Sequence, residues 1–389
     1  MSDITTKSEE LFELYEGLDD TGEDLESEDM KSVEAIYAAS QWQLIWRKFI
    51  RNKVAIIGGI VILLYYLGGL FAGFLAPYTL ATRFIRYIHM PPQRVHFFND
   101  GKLQPFVCDL DLTIDENLRK TYEPNCDKRI PLEFFAHGEP YELLGAIETD
   151  VHLFQVSEGV VSLLGTDRQG RDMFSRVLYG SQISLTIGLL GVVLSLLFGS
   201  VLGVASGYYG GWVDDLIQRL IELVRSFPAI PLWMALSAAV PPHWPPQRTY
   251  FAVTIILSVI GWTWLARQLR GKVLSLRNED FVLAAKLAGA SDWWIIFGHL
   301  IPATFSHIIV VSTLAMPAMI LAETALSFLG LGLRPPVTSW GVLLKEVQNI
   351  QSMALYPWVF SPALAIAIAI LAFNFLGDGL RDASDPYTV

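Results

Sequence analysis

Six long, predominantly apolar runs dominate this chain: Val54–Ala76, Ile183–Gly207, Leu216–Val240, Tyr250–Leu269, Phe305–Leu326 and Ala354–Leu376. A helix of about 20 apolar residues is long enough to cross the hydrocarbon layer of a bilayer. With 52% hydrophobic and only 17% charged residues, the chain has too little polar surface for an ordinary soluble protein of this length. Glycine and proline interrupt several runs, which membrane helices tolerate. The expected fold is an all-α polytopic membrane protein with six transmembrane helices.

The net charge of −11 misleads, because it is concentrated at one end. Residues 1–34 alone carry that excess, from acids between Asp3 and Glu34 set against Lys7 and Lys31, and the rest of the chain is neutral. Residues 1–40 therefore read as an acidic, solvated cytoplasmic head without a packed core. It lacks the basic start and early apolar core of a secretory signal. Residues 41–53 follow with Trp42, Ile45, Trp46 and Phe49 at helical spacing, which predicts an amphipathic helix at the membrane interface. Basic residues fix the orientation: Arg47, Lys48, Arg51 and Lys53 precede the first run, Arg267 to Lys286 follow the fourth, and Arg381 follows the sixth. With six spans these regions share one side, the cytoplasm, together with both termini.

Residues 77–163 then lie outside as a small extracytoplasmic subdomain of short strands and turns, with residues 164–389 forming a core of five further spans. Phe97, Phe98, Phe106, Phe134, Phe135 and Tyr141 are its candidate core. Both cysteines, Cys108 and Cys126, fall there. An oxidising compartment permits a bridge between them, and two buried thiols fit the sequence equally well. No cluster of His and Cys points to a metal. In the segment leading to the second run, Asp172 and Arg176 are spaced as an i, i+4 pair on an amphipathic surface helix.

Between the fourth and fifth runs, within the loop 270–303, lies Glu279–Thr304, EDFVLAAKLAGASDWWIIFGHLIPAT. Asp280 is a candidate cap for a short helix, and Gly289 can end that helix with positive φ. Ser291 and Asp292 can cap a second helix, and Pro302 sits where a missing N–H costs little. The small Ala284, Ala285 and Ala288 would let another protein approach closely.

This loop resembles the "EAA" coupling loop of bacterial ABC-importer permeases. Three further blocks resemble the dipeptide, oligopeptide and nickel branch, the DppC/OppC-like subunits. They are LGTDRQGRDMFSRVLYGSQISLTIG before the second run, ETALSFLGLGLRPPVTSWG at Glu323–Gly341, and FNFLGDGLRDASDP at Phe373–Pro386. The resemblance covers residues 41–76 and 160–389. It implies the type I ABC-importer permease fold, in the bacterial inner membrane. It also implies a second homologous permease, two ATP-binding subunits that hold the ATP and magnesium, and an extracytoplasmic solute-binding protein. Asp280, Ala284, Ala285, Ala288, Gly289, Asp292, His299 and Pro302 would then meet the ATPase. Leu283 stands where the general loop pattern has Glu, and the 77–163 segment is longer than the family usual. The sequence has no GxxxxGK[ST] phosphate loop, so ATP hydrolysis would belong to the partner, and the chain itself reads as a non-enzymatic transport subunit.

Other charged and polar residues in the spans have two readings each. Arg219, Glu222 and Arg225 either form an ion network within the permease pair or reach to headgroups. Glu323 either lines the pathway or bonds the neighbouring loop, and Asn374 bonds across helices or meets solute. Phe227-Pro228 and Pro231 predict a kink in the third run. The function expected is half of a translocation pathway for di- or oligopeptides, with nickel or oligosaccharides as alternatives. An ion-coupled secondary transporter would need repeated halves, which the sequence lacks. A membrane-anchored assembly protein would bind no ATPase at the loop.

Overall fold

The computed structural model describes residues 41–99, 101–114 and 120–384. The acidic head lies outside them. Helix α1 (Gln41–Arg51) carries the expected amphipathic segment, with the Trp46 and Phe49 rings stacked at 5.8 Å. The chain turns at Asn52, whose side chain caps α2 (Lys53–Leu70) by accepting from the Ala55 N–H at 3.1 Å. Residues 77–163 follow, and then α3 (Met173–Tyr209), α4 (Gly211–Arg225), α5 (Ala229–Ala238) and α6 (Pro246–Leu276). Two short helices, α7 (Asp280–Leu287) and α8 (Asp292–Ile295), precede α9 (Phe305–Phe328), and α10 (Ser361–Ser384) ends the described chain.

Among the described residues, five helical segments are long and apolar enough to cross a membrane, and α4 with α5, counted as one broken span, brings them to six. Their outward side chains are apolar too: Leu63, Leu64, Leu197, Phe198, Ile255 and Leu364 are all exposed. A soluble protein would not present such a belt. Inside it, Leu185, Leu257, Ile320, Leu326 and Trp340 are almost fully buried in one core.

Two predicted boundaries differ. The second span begins ten residues before Ile183, because Asp172 caps α3 by accepting from the Ser175 N–H at 2.7 Å. There is no separate surface helix. Asp172 is thus occupied, and Arg176 pairs with Asp167 instead. The third run is broken, not merely kinked: α4 and α5 meet at 84° across Ser226–Pro228. Pro228 has no N–H and pushes Phe227 away from helical geometry. Pro231 falls in the first turn of α5 and is tolerated.

Helices α3 and α6 pack closely along their length. Gly199, Gly203 and Gly207 fall four apart on one face of α3, a small-xxx-small stripe. A Cβ on Gly203 would sit 2.5 Å from the Ala266 carbonyl oxygen, so only glycine permits this approach.

Residues 77–163 hold a three-stranded antiparallel sheet, β1 (Val95–Asn99), β2 (Lys102–Ile114) and β3 (Lys120–Pro131), and a hairpin of β4 (Glu133–Leu143) and β5 (Ile147–Gln155). Strand β1 is short as expected, and β2 to β5 are longer, at 9 to 13 residues. Cys108 and Cys126 are bonded, with Cα atoms 4.5 Å apart, where the β2–β3 register shifts. The core is not the predicted phenylalanine set. Phe97, Phe98, Phe134 and Phe135 are exposed, while Tyr78, Met90, Val107, Phe154 and Val161 are buried with Phe106. The β1–β2 register shifts between His96 and Phe98, and Phe135 has φ +52°, so the regular alternation of faces is interrupted at both phenylalanine pairs. Fully buried His152 joins this subdomain to the end of the first span: its ring nitrogens lie 2.6 Å from the Ala76 carbonyl and 2.9 Å from that of Glu139.

Candidate coupling and translocation site

At the end of the helices away from the sheets, α7 and α8 form a compact elbow. Helix α7 starts at Asp280, with Glu279 in the capping position and no side-chain cap, so the expected Asp280 cap is absent. At its other end Gly289 has φ +79°. The Gly289 N–H bonds the Lys286 carbonyl and the Ala290 N–H bonds the Ala285 carbonyl, both at 3.0 Å, which is a Schellman ending. Ser291 alone caps α8, through the Trp294 N–H at 3.4 Å. Asp292 does other work: it accepts from the Tyr208 hydroxyl at 2.7 Å. Five residues, Ile296–Leu300, then continue with π-helical bonds, before Pro302.

The elbow has two faces. Val282, Ile295, Ile296 and Leu300 are buried against Val204, Tyr208 and Val273 at the ends of α3 and α6. Ala285 is half-buried and packs on this inner cluster. Lys286 lies over the Tyr208 ring at 4.9 Å, and His299 stands 6.3 Å from the Phe281 ring, centroid to centroid. The outer face presents Ala284, Ala288 and Gly289 beside Leu283, Leu287, Trp293 and Trp294. Leu287 is 90% exposed and Trp293 66%. Asp280, Asp292 and Pro302 are exposed and His299 is half-buried.

Next to the elbow is a pair that sequence reasoning missed. Arg270 on α6 donates two bonds to Asp214 on α4, at 2.6 and 2.5 Å, and Ser206 on α3 donates to the same carboxylate. Gln218 reaches Ser206 at 3.1 Å. Three spans are thereby tied at one point. The partners are 56 residues apart, and only the common charge complementarity was visible.

Arg219 and Glu222 pair with each other at 2.7 Å on an exposed face of α4, and Arg225 borders a cavity of 510 Å³. Glu323 is elsewhere and fully buried. Its carboxylate accepts from Ser184 at 3.0 Å, Ser327 at 2.8 Å and Ser339 at 2.7 Å. Each of those hydroxyls accepts in turn from a backbone N–H, of Trp340, Leu333 and Val342. The acid thus anchors the 329–342 loop on α3 and α9 through polarised donors, with no cation needed. Asn374 is half-buried on α10 and does not border that cavity.

The sheet-bearing end has its own network, made by the GTDRQGRD block. Buried Asp167 accepts from Arg171 at 2.7 Å, from Arg176, and from the N–H groups of Gln169 and Arg171. Gly170 has φ +70°, and a Cβ there would meet the Phe84 carbonyl at 2.2 Å. Glu346 accepts from the Arg168 N–H at 2.7 Å; burial, and then nearby Asp167, hold its carboxyl above the usual range. On the hairpin, burial raises the Glu139 carboxyl, but hydrogen bonds from Thr82 and Thr79 outweigh it and leave it below its ordinary value.

Helices long and apolar enough to span a bilayer, a capped amphipathic elbow joined to their ends and a cavity between them define a polytopic membrane protein. The comparisons agree. Residues 195–388 match the family model for a binding-protein-dependent transport system inner membrane component. Residues 40–92 match the model for the N-terminal transmembrane domain of oligopeptide transport permease C. The chain is 42% identical over 224 residues to the dipeptide transport system permease protein DppC of Alkalihalophilus pseudofirmus, covering 57% of this chain and 71% of that one. It is 37% identical over 249 residues to the glutathione transport system permease protein GsiD of Pectobacterium atrosepticum, covering 64% and 79%. With the dipeptide permease DppC of Lactococcus lactis the identity is 33% over 351 residues, 90% of this chain and 91% of that one. This protein belongs to the DppC/OppC-like family of ABC-importer permease subunits, multi-pass proteins of the inner membrane. The Lactococcus match is longer than the part of the chain outside residues 77–163, so it extends into that segment.

Proposed function

We propose that this chain forms half of the translocation pathway of an ATP-driven importer of di- or oligopeptides. A second, homologous permease completes the pathway. Two ATP-binding subunits dock on the elbow at residues 279–303, and an extracytoplasmic solute-binding protein delivers the peptide. Both termini and the elbow are cytoplasmic, and the sheets face outward. The basic residues beside the first, fourth and sixth runs support that orientation. The printed names of the relatives, dipeptide and glutathione permeases among them, support the substrate class.

The observation that carries the reading is the elbow's division into two faces. One is bonded to α3 through Asp292–Tyr208 and packed on Val273 of α6, and the other leaves Leu287, Trp293 and Trp294 in the open. Exposed tryptophans beside small residues are what a docking surface requires. The test replaces Leu287 and Trp293 by Ser in the intact complex. ATPase subunits should be lost on purification while the permease pair stays in the membrane, and peptide uptake should fall with them. Full retention of the ATPase and of uptake would sink the reading.

A further inference from the structure

Two cavities stand in line between α6 and α9. The first, of 510 Å³, is lined mainly by apolar side chains such as Trp233, Leu257, Ile260 and Met319. The second, of 600 Å³, opens beside the elbow and is lined in part by Gln268, Lys272, His307 and Arg381. Trp264 and Leu314 border both, so these two side chains form the partition between them. No carboxylate lines the second cavity among the described residues. Lys272 and Arg381 come from different spans, α6 and α10, and neither is in an ion pair among the described residues.

We propose that the second cavity is an exit chamber that receives the carboxylate of the travelling solute, with Lys272 and Arg381 supplying the attraction and His307 a donor. This deepens the peptide-importer reading and rests on it. The α-carboxylate is the one anionic group shared by unmodified peptides of every sequence, so a chamber recognising it serves all of them. An apolar chamber alone would retain a peptide's side chains while leaving its charge poorly solvated. A cationic chamber directly beyond the Trp264–Leu314 partition offers that charge a place to go. Both cations are exposed, so they attract without trapping. A solute whose carboxylate is blocked loses that step.

The chamber can be probed without knowing the transported solute. Both cysteines of the chain are bonded to each other in the sheets, so Ser306→Cys, at the chamber wall, introduces the chain's single free thiol. The experiment uses the full complex in inverted vesicles without nucleotide. Anionic and cationic methanethiosulfonates are compared, each relative to its rate with a free thiol in solution. The anionic reagent should react about tenfold faster, at the lower end of what a charged cleft produces. The preference should vanish in Lys272→Gln/Arg381→Gln and reverse in Gln268→Glu, which keeps the proposal testable if the double variant fails to assemble. Dialanine should slow the anionic labelling, and dialanine amide should not. Equal rates for both reagents, or equal protection by the acid and the amide, would overturn the proposal. So would protection that follows the phosphatidylglycerol content of the vesicles and ignores dialanine, because a lipid headgroup would then be the occupant. Peptide uptake is measured in parallel. Protection without uptake defeats the importer reading alone, and uptake without protection defeats only the chamber.

Discussion

Gly203→Ala adds one methyl group where α3 comes tightest against the backbone of α6, and its cost follows from that geometry. The new Cβ would lie 2.5, 2.8 and 3.0 Å from the carbonyl oxygen, Cα and carbonyl carbon of Ala266. All three are backbone atoms of a helix, so no side chain can swing aside. Restoring an ordinary contact of 3.4 Å requires the helices to part by about 0.9 Å there. Overpacking of this kind costs about 1–3 kcal/mol, a tenfold or larger shift in the folded population for the middle of that range. Gly207→Ala should be comparable, since its Cβ meets the Arg270 carbonyl oxygen at 2.8 Å, and Gly199→Ala milder, because its nearest atoms include a Leu265 side chain at 3.0 Å. Gly271→Ala is the internal control: nothing lies within 4 Å of its Cβ, and alanine is the better helix former by about 1 kcal/mol. The assay is the fraction of purified complex that survives a heating series, read by fluorescence-detected gel filtration at matched expression. Survival should fall in the order Gly271→Ala, Gly199→Ala, then Gly207→Ala and Gly203→Ala. If Gly203→Ala survives as well as Gly271→Ala, the two spans do not touch as described and the stripe has no packing role.

Three further outcomes are expected. Gly289→Val should insert but fail to couple ATP hydrolysis to uptake, because φ +79° costs a residue with a Cβ about 1–2 kcal/mol and a β-branched one more; Gly289→Asn should retain most activity, and equal activity of the two would show that the turn is not left-handed. Arg270→Ala should cost about 2 kcal/mol by stripping two charge-assisted bonds from Asp214, measured by the same heating series, and Asp214→Asn should recover part of that loss in the double variant. The Glu139 carboxyl titrates below its ordinary value when bonded to Thr82 and Thr79, so its contribution is complete above pH 4.5 and is lost as pH falls through the lower, folded value. Proteolysis of the β4–β5 hairpin should therefore increase on acidification below pH 4.5, and Glu139→Gln should flatten that dependence.

The spans were legible because a run of twenty apolar residues has few other uses, and the turn at Gly289 because positive φ selects glycine. The left-hand limit of α3 was not, since hydropathy sees where the bilayer begins and not where hydrogen bonding begins; the signal was the Asp172-x-x-Ser175 cap. The break at Pro228 was legible in place but not in size. Its 84° depends on where Ile217 and Ile221 find Ala266, a contact between distant segments. The glycine stripe was written plainly as G-x₃-G-x₃-G but was absorbed into the hydropathy of its run. Asp214 with Arg270, and Glu323 with Ser184, join residues from different spans. Pairwise propensity carries no information about such partners. The assignment of Asp292 as a cap failed for a related reason: two adjacent residues can both cap, and Tyr208, more than eighty positions away, decided between them.

What moves, and what moves with it, follows from these joints. Helix α3 has 37 residues and spans about 55 Å, so it reaches from the elbow to the sheets without interruption. Its lower end holds Asp292 through Tyr208, and its upper part holds Trp340 and Glu323 through Ser184. The glycine stripe holds α6 against its elbow-side half over about 12 Å. A displacement of the elbow is therefore felt by α3 and α6 as one body, and carried to the loop that Glu323 anchors. The third span cannot follow rigidly, because α4 is tied to that body by Asp214 while α5 leaves it at 84°. Any motion between the two must be taken up at Ser226–Pro228, three residues with little of the backbone bonding that stiffens a helix. Arg225 and Phe227 at that corner both border the 510 Å³ cavity, as does Trp233 one turn into α5. The corner thus sits where a change of angle alters the shape of the apolar chamber while leaving the α3–α6 pair intact.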